Sequence, residues 1–301
     1  MLYEVIINRE SGSGIFRDME QQNRLKRIFT DNGHRIELHV AAPEELDGLL
    51  QKKAQSPAEV LIIGGGDGTV TGAAKLLQGT GKALGVLPLG TFNLEARDLN
   101  ISLDPFKAAE ELMNSEIVEI DLMTVDDECC LCATVIGFYP NLAKSRKSFH
   151  GKSWWTKFIR IVHDICTVAV SSPALKLEIT IDGETIHRRT RLAAFSPGQY
   201  DEGIGIIPNR SELSSGKLTA YVSEHLNRGQ MLKAAVAYIT GSLLKTEEMT
   251  RLESSEITIG VGRRKTIPAM IDGEIVNMKM PCHLKILPRA LKVLRPRKPA
   301  N

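Results

Sequence analysis

Residues 62–70 read Ile62-Ile63-Gly64-Gly65-Gly66-Asp67-Gly68-Thr69-Val70 and indicate the fold more clearly than any other segment. An apolar strand leads into it and a helix leads out of it. Glycines let the backbone adopt positive φ and approach a ligand closely, and N–H groups at a helix start suit phosphate oxygens. Asp67 adds a carboxylate that can act on Mg²⁺ or orient a catalytic group. A tight structural turn is the alternative, but three glycines followed by Asp-Gly-Thr favour a phosphate-binding loop.

The sequence around this turn alternates between strand and helix patterns. Short apolar runs indicate buried strands, and amphipathic runs with start signals such as Asp104-Pro105 indicate helices. Such alternation implies parallel strands with right-handed crossovers, and therefore an α/β fold. The predicted strands are Tyr3–Asn8, Arg35–Val40, Glu59–Ile63, Leu84–Leu87 and Ile117–Ile120, and the predicted helices are Arg17–Asp31, Pro43–Ala54, Thr69–Leu77 and residues 105 to about 114.

From about Leu122 onward the pattern changes to strands joined by turn signals such as Asp182-Gly183. Two helices, Ser153–Val170 and Arg228–Leu244, interrupt these strands, and the tail from Arg295 is expected to be loose. We therefore predict an antiparallel β domain with inserted helices. Its strand-like runs are Cys130–Ile136, Leu175–Ile181, Arg191–Phe195, Lys217–Val222, Glu256–Gly260, Ala269–Ile271 and His283–Leu287.

Composition indicates a soluble globular protein with room for two domains: 301 residues, 43% hydrophobic and 25% charged, with a net charge of +2. The first residues read as a strand rather than a signal peptide, and no apolar run is long enough to span a bilayer. Five cysteines stand at irregular spacing. Cys129 and Cys132 form a C-x-x-C, but an offset of three puts them on opposite faces of a strand. We expect a cytoplasmic protein without disulfides.

One segment, residues 151–162, combines Trp154 and Trp155 with basic and aliphatic side chains on a predicted helix. These side chains suit a membrane interface, and a buried helix with two core tryptophans fits the pattern equally well. Peripheral membrane contact is therefore left open, as is the oligomeric state. The small net charge gives no reason to expect a nucleic-acid partner.

Further short motifs stand along the chain: Asn8-Arg9-Glu10-Ser11-Gly12, Gly65-Gly66-Asp67-Gly68-Thr69, the run Pro88-Leu89-Gly90-Thr91-Phe92-Asn93-Leu94-Glu95-Ala96-Arg97, Gly137-Phe138-Tyr139-Pro140, Asp272-Gly273-Glu274 and the run Leu291–Pro296. In this order they resemble the diacylglycerol kinase and sphingosine kinase superfamily. The second motif is the G-G-D-G-T that NAD kinases share, whereas the third resembles the lipid-kinase segment P-x-G-T-x-N-D-x-A-R. The resemblance spans nearly the whole chain.

The resemblance implies a two-domain lipid kinase that binds ATP in an interdomain cleft and uses Mg²⁺. It implies an α/β nucleotide-binding domain with a parallel sheet at residues 1–122, to which a tail at 288–301 returns, and a β-sandwich-like acceptor domain at 123–287. The acceptor would be a lipid at a membrane surface, with diacylglycerol as the first choice and a role in phospholipid biosynthesis. Residues implied at the phosphates are Asn8, Ser11, Gly65, Gly66, Asp67, Gly68, Thr69 and Thr91.

The same resemblance implies that Glu274 is the general base and that Asp67 shares in catalysis. Phosphoryl transfer asks mainly for alignment, charge neutralisation and a carboxylate near the nucleophile. The chain holds two Asp-Gly-Glu triplets, however, and either can be only a hairpin turn. We favour Glu274 over Glu184 because its place near the last strand matches the family.

Two departures from the family pattern leave alternatives open. Leu94 replaces an aspartate, and Ser215 stands where an Mg²⁺-binding aspartate is expected, so the metal ligands are left open. One alternative is an NAD kinase, although the expected T-A-Y-x-x-S segment is matched only loosely at Thr219–Ser223. The other is a nucleotide-binding regulator without transfer activity, which intact Asp67 and Glu274 oppose.

Overall fold

The computed structural model describes residues 2–137, 173–201, 209–223 and 249–297. The chain divides into two compact units. One comprises Met1–Leu122, Ser211–Ser215 and Leu287–Asn301, and the other comprises Met123–Arg210 and Gly216–Ile286. The predicted helices at 153–170 and 228–244 lie outside the described residues, as does the Trp154-Trp155 segment.

The first unit contains β1 (Leu2–Asn8), a short 3₁₀ segment (Gly12–Arg17), α1 (Met19–Asp31), β2 (Arg35–Ala41), α2 (Pro43–Ala54), β3 (Val60–Gly65), α3 (Asp67–Leu77), β4 (Ala83–Pro88), α4 (Leu94–Asp98), α5 (Pro105–Met113) and most of β5 (Ser115–Val125). Its parallel sheet has the strand order β2-β1-β3-β4. The predicted α/β fold is thus confirmed.

Local sequence explains these elements. Every residue of β3 and β4 is buried, as expected for parallel strands covered on both faces. At α5, the Asp104 side chain accepts hydrogen bonds from the N–H groups of Phe106 and Lys107, and Pro105 occupies the first turn. The predicted start of this helix is therefore confirmed.

The second unit contains β6 (Glu128–Cys130), β7 (Thr134–Gly137), β8 (Leu175–Ile181), β9 (Glu184–Thr190), β10 (Leu192–Pro197), β11 (Leu218–Ser223), β12 (Met249–Ser254), β13 (Glu256–Val261), β14 (Thr266–Ile271), β15 (Glu274–Lys279) and the start of β16 (Cys282–Pro296). One sheet has the order β12-β11-β10-β7-β14-β15, and every described pairing in it is antiparallel. In the other, β16, β13, β8 and β9 are also antiparallel neighbours.

A hydrophobic core formed by described residues of both sheets lies between them. Leu177 and Ile259 contribute to it from one sheet, and Phe195 and Ala220 contribute from the other, all fully buried. Buried and exposed residues alternate along β8 and β13, as a strand with one face on a core requires. The predicted antiparallel β domain is confirmed as a sandwich.

Some boundaries differ from the predictions. The expected strand Cys130–Ile136 is interrupted at residues 131–133, whose N–H groups bind the Asp272 carboxylate instead of a neighbouring strand. The tail expected to be loose is ordered as far as Pro296, because β16 continues past Leu287 and pairs with β4 in parallel. The first helix begins at Met19 rather than Arg17, with the Asp18 side chain as its cap.

The cysteines Cys129, Cys130, Cys132 and Cys282 are buried and unbridged. Burial raises the pKa of Cys282 to about 12, and the Asp126 charge adds to the effect. In the described part of the chain, no helix combines the length and apolar character that a membrane span needs.

Candidate functional site

Three loops of the first unit meet at one edge of the parallel sheet. They follow β1, β3 and β4, which are adjacent and point in the same direction. Ile7 pairs with Gly64 and Gly65 pairs with Pro88, so the three strands end at the same level. Ligands of open α/β sheets bind outside the carboxyl ends of the strands. The glycine-rich turn identified in the sequence lies at this edge.

The loops after β3 and β4 approach each other as closely as backbone permits. Leu89 N–H donates to the Gly65 carbonyl (3.2 Å), and Gly12 N–H donates to the Leu89 carbonyl (2.9 Å), which ties in the loop after β1. A Cβ added to Gly90 would lie only 2.8 Å from Gly66 Cα. Glycine is therefore required at position 90 because any side chain would press on the backbone of the neighbouring loop.

The glycine-rich turn leads directly into α3. Gly66 occupies the N-cap position, and its carbonyl accepts from the N–H groups of Thr69 (3.0 Å) and Val70 (3.1 Å). A Cβ on Gly65 would lie 2.7 Å from Thr69 Cβ, so this residue too has no room for a side chain. With no capping side chain on Gly66, the helix presents backbone N–H groups and the positive end of its dipole at the loop. This arrangement suits an anion such as a phosphate.

Asp67 connects this turn to the loop after β4. Its carboxylate oxygens accept hydrogen bonds from Leu94 N–H (2.7 Å) and Asn93 N–H (3.2 Å), at the start of α4. The Asn93 side chain closes the loop by accepting from Gly90 N–H (2.7 Å) and donating to the Gly90 carbonyl (3.0 Å). Sequence reasoning assigned Asp67 to metal or catalytic work and missed this bracing contact, which no local pattern signals.

The other residues predicted at the phosphates lie in the same unit. Thr91 is exposed at the tip of the braced loop, and Arg97 supports that loop by donating to the Phe92 carbonyl (2.9 Å). Asn8 shapes the loop after β1, since its side chain accepts from Glu10 N–H (3.0 Å) and its carbonyl accepts from Ser11 N–H (3.0 Å). A small cleft between the loops after β3 and β4 is lined by Gly65, Gly66, Asp67, Val70, Val86, Asn93, Glu95 and Ala96.

These residues suit a magnesium nucleotide. Mg²⁺ in phosphoryl-transfer sites is held by one or two carboxylates together with phosphate oxygens and water. Asp67 supplies a carboxylate beside the cleft, and backbone N–H groups at the start of α3 supply donors for phosphate. The cation would neutralise charge on the phosphates when bound.

Glu274 lies in the second unit, at the first position of β15. Asp272 (φ 46°) and Gly273 (φ 88°) form the turn that precedes it, and both lie in the left-handed region that a tight hairpin requires. Glu274 pairs with Ile271 across the hairpin and is exposed, so its carboxylate is available to a substrate.

Asp272 is buried, with 2% of its surface exposed, in contrast to Glu274. Its carboxylate accepts hydrogen bonds from the N–H groups of Leu131 (2.7 Å), Cys132 (2.8 Å) and Ala133 (2.9 Å). The Cys130 thiol also donates to it (3.3 Å). Burial, followed by the charge of Asp272, raises the pKa of Cys130 well above its usual value, which keeps the thiol protonated as a donor.

The other triplet, Asp182-Gly183-Glu184, forms a turn of the same shape. Asp182 (φ 51°) and Gly183 (φ 82°) are again left-handed, and Glu184 pairs with Ile181 across the hairpin. All three residues of this triplet are exposed. The two triplets therefore share a backbone conformation and differ in the burial of the aspartate.

Comparison with known proteins identifies both halves of the chain. Residues 3–125 match the family model described as the diacylglycerol kinase catalytic domain. Residues 162–295 match the model described as the YegS C-terminal NAD kinase beta sandwich-like domain. The chain is 25% identical over 260 residues to a diacylglycerol kinase of Mycobacterium tuberculosis, an alignment that covers 83% of this chain and 81% of that protein.

Solved structures show the same fold. The crystal structure of a diacylglycerol kinase from Bacillus anthracis superposes with a TM-score of 0.71 and covers 99% of this chain and 97% of that one. At 17% identity this likeness concerns the fold alone. The two family models match neighbouring segments that together make up most of the sequence. The chain thus joins a domain of the diacylglycerol kinase catalytic family, at residues 3–125, to a C-terminal domain of the YegS family, at residues 162–295.

Proposed function

We propose that this protein transfers the γ-phosphate of ATP, carried with Mg²⁺, to a hydroxyl group of a membrane lipid, and that the lipid is diacylglycerol. The chain's family supports phosphoryl transfer to lipid, and the relative from M. tuberculosis is named for diacylglycerol. The protein would meet this acceptor as a cytoplasmic enzyme in peripheral contact with a membrane. We assign the nucleotide to residues 1–122 with the tail at 288–301, and the acceptor to residues 123–287.

One observation carries the nucleotide half of this proposal: the contact between Gly66 and Gly90. It joins the loops after β3 and β4 at the sheet edge, beside the uncapped start of α3. Because neither glycine has a side chain, a triphosphate can closely approach the backbone N–H groups at the start of α3. Asp67 keeps the second loop in place through its bonds to Asn93 and Leu94.

In the proposed reaction the phosphates lie against Gly65, Gly66, Gly68 and Thr69, with Asn8, Ser11 and Thr91 at their margins. Asp67 has two roles here, because it braces the loop and offers its charge to the magnesium that accompanies ATP. Glu274 accepts the proton of the lipid hydroxyl as that oxygen attacks the γ-phosphorus, while the bond from the γ-phosphorus to the β–γ bridging oxygen breaks and ADP leaves. Little covalent work is then left to the protein, as phosphoryl transfer requires.

The test is transfer of label from γ-labelled ATP with Mg²⁺, offered either diacylglycerol in mixed micelles or NAD. We expect label only in the lipid. The NAD arm matters because the C-terminal model carries NAD kinase in its description. Label in NAD would overturn the lipid acceptor, and ATP binding without transfer to either acceptor would indicate a nucleotide-binding regulator.

The matched variants Glu274→Gln and Glu184→Gln test the base, because both glutamates follow the same Asp-Gly turn. General-base catalysis contributes about 10²- to 10⁴-fold, so Glu274→Gln should lower kcat by that factor and leave ATP affinity unchanged. Glu184→Gln should be as active as the wild type. A fully active Glu274→Gln enzyme would remove Glu274 from this role.

A further inference from the structure

The buried carboxylate of Asp272 is the feature of the second unit that hairpin formation does not explain. Taking a carboxylate out of water costs several kcal/mol unless hydrogen bonds replace the lost solvent. Here three backbone N–H groups and one thiol replace it. The equivalent Asp182 makes the same turn at the surface. The turn itself therefore does not require a buried carboxylate.

The segment that holds Asp272 is itself fixed from its other side. Arg210, 1% exposed, donates from Nη2 to the Leu131 carbonyl (3.0 Å) and from Nη1 to the Pro197 carbonyl (2.6 Å). The Asp272 N–H donates to the Ala133 carbonyl (2.9 Å), which adds a backbone link to the carboxylate contacts. The turn before Glu274 is thus attached to β10 through residues 131–133 and a buried guanidinium.

This attachment breaks the regular sheet. Leu131, Cys132 and Ala133 lie between β6 and β7, and all three donate their N–H groups to the carboxylate of one side chain, that of Asp272. Strand β7 then begins at Thr134, which pairs with Ile271 at the end of β14. An interruption of this kind next to a functional hairpin sets the position of the turn rather than extending the sheet.

We infer that Asp272 is a positioning residue for catalysis: its carboxylate, held by the N–H groups of residues 131–133 and the Cys130 thiol, fixes the turn that carries Glu274. This inference rests on the proposed function, since it presumes that Glu274 receives the proton. It also explains why the second Asp-Gly-Glu triplet, and not the first, is suited to catalysis. The exposed triplet has no comparable attachment among the contacts of the described residues.

The test compares Asp272→Asn with Asp182→Asn in the diacylglycerol assay. Asparagine tolerates positive φ, so the turn is kept, but its amide NH₂ cannot accept the N–H groups that the carboxylate accepts. A displacement of about 1 Å at a catalytic group can cost on the order of 10²-fold. We expect Asp272→Asn to lower kcat by about that factor, with KM for ATP and for diacylglycerol within about twofold of wild type. Asp182→Asn should change neither constant.

The split between kcat and KM separates positioning from damage to the fold. Loss of the second unit's structure would raise KM for the lipid and speed amide exchange in β8 and β10, whereas a displaced base lowers kcat alone. A wild-type kcat for Asp272→Asn would overturn the inference. If the fall in kcat is accompanied by that loss of protection, the second variant described next decides.

A second variant covers the case in which Asp272→Asn does not fold. Cys130→Ala removes the thiol donor to the carboxylate, together with the weaker contact from the Thr134 hydroxyl to Sγ (3.5 Å). One hydrogen bond contributes about 1 kcal/mol. We expect it to fold and to lose about two- to fivefold in kcat; an unchanged kcat would count against the inference.

The outcome also distinguishes this inference from the proposed function. An active Asp272→Asn beside an inactive Glu274→Gln removes the positioning role alone, while an active Glu274→Gln removes the base itself.

Discussion

Replacing Gly90 by alanine should weaken ATP binding, because the new methyl group would lie where the neighbouring loop already is. The added Cβ falls 2.8 Å from Gly66 Cα, 3.0 Å from Asn93 Oδ1 and 3.4 Å from Asp67 N. Carbon atoms in contact normally lie about 3.5–4.0 Å apart. The two loops must therefore separate by roughly 0.7 Å at this point, and the nearest obstacle is main chain, which cannot rotate away.

The size of the effect follows from the energy of such overpacking, typically about 1–3 kcal/mol. The free protein can relieve the strain by moving the loops apart. ATP binding must then bring the loops back together, which reduces the free energy of binding. If the whole cost falls on binding, the dissociation constant for ATP rises by roughly 5- to 150-fold, since 1.4 kcal/mol is tenfold.

Titration calorimetry with a non-hydrolysable ATP analogue and Mg²⁺ measures this change, and denaturant unfolding measures any share taken by stability. Gly72→Ala is the matched control, because Gly72 lies within α3 and a Cβ there would meet nothing within 4 Å. Alanine in a helix interior is about 1 kcal/mol more favourable than glycine, so this variant should bind ATP normally and unfold slightly later.

Two results would contradict this prediction. Gly90→Ala binding ATP within about twofold of wild type, with unchanged unfolding, would mean that the loops do not meet as described. Equal weakening by Gly72→Ala would mean that substitutions of glycine disturb binding wherever they fall.

Two further predictions concern the second unit. Gly137→Ala should lower the free energy of unfolding by about 3 kcal/mol or more, because its Cβ would lie 2.0 Å from the Arg191 carbonyl oxygen at a φ of 110°. The control Gly183→Ala also places alanine at positive φ, but its Cβ would meet nothing within 4 Å, so it should lower the free energy of unfolding by only about 1 kcal/mol. Urea titrations that show equal losses for the two variants would contradict this prediction. Cys282, whose pKa burial raises to about 12, should resist alkylation at pH 8, where only about 10⁻⁴ of it is thiolate, and should react readily in denaturant. Because the unfolded thiol ionises near pH 8.5, stability should fall as pH rises from about 9 towards 12; rapid labelling of the native protein, seen by mass spectrometry, would show the thiol to be accessible.

The first unit is predictable in detail because its signals are local. Strands β3 and β4 are continuous apolar runs, and α5 begins with Asp104-Pro105. The alternation of strand and helix then implies parallel pairing, which brings the loops after β1, β3 and β4 to one edge. The glycine-rich turn can therefore be placed at this edge from its flanking sequence and the rule of parallel pairing alone.

Other features depend on residues far apart in sequence and leave no local trace. The Asp272 carboxylate binds N–H groups about 140 positions earlier, and this bond ends the strand that apolar residues after Cys130 suggest. The sequence pattern predicts a last strand that ends at Leu287. It continues instead through a bend at Arg289 (φ 50°), whose N–H donates to the Asp121 carboxylate (2.8 Å).

The candidate site divides in the same way. Residues 65–69 are recognisable from the sequence, since a glycine-rich loop before a helix is a common phosphate-binding arrangement. The hydrogen bonds by which Asp67 braces the loop after β4 are not recognisable from the sequence, because they reach Asn93 and Leu94, which lie 26 and 27 residues further along the chain. The ambiguity between Glu184 and Glu274 also could not be settled by their triplets, which are identical in sequence and in turn conformation.

The position of a bound triphosphate shows whether the loops after β1, β3 and β4 form the nucleotide site. A crystal structure of the protein with Mg²⁺ and a non-hydrolysable ATP analogue should show phosphate oxygens bonded to backbone N–H groups of residues 65–69, with the loop of Thr91 beside them. A triphosphate bound elsewhere on the protein, with these loops unchanged and uncontacted, would contradict the account.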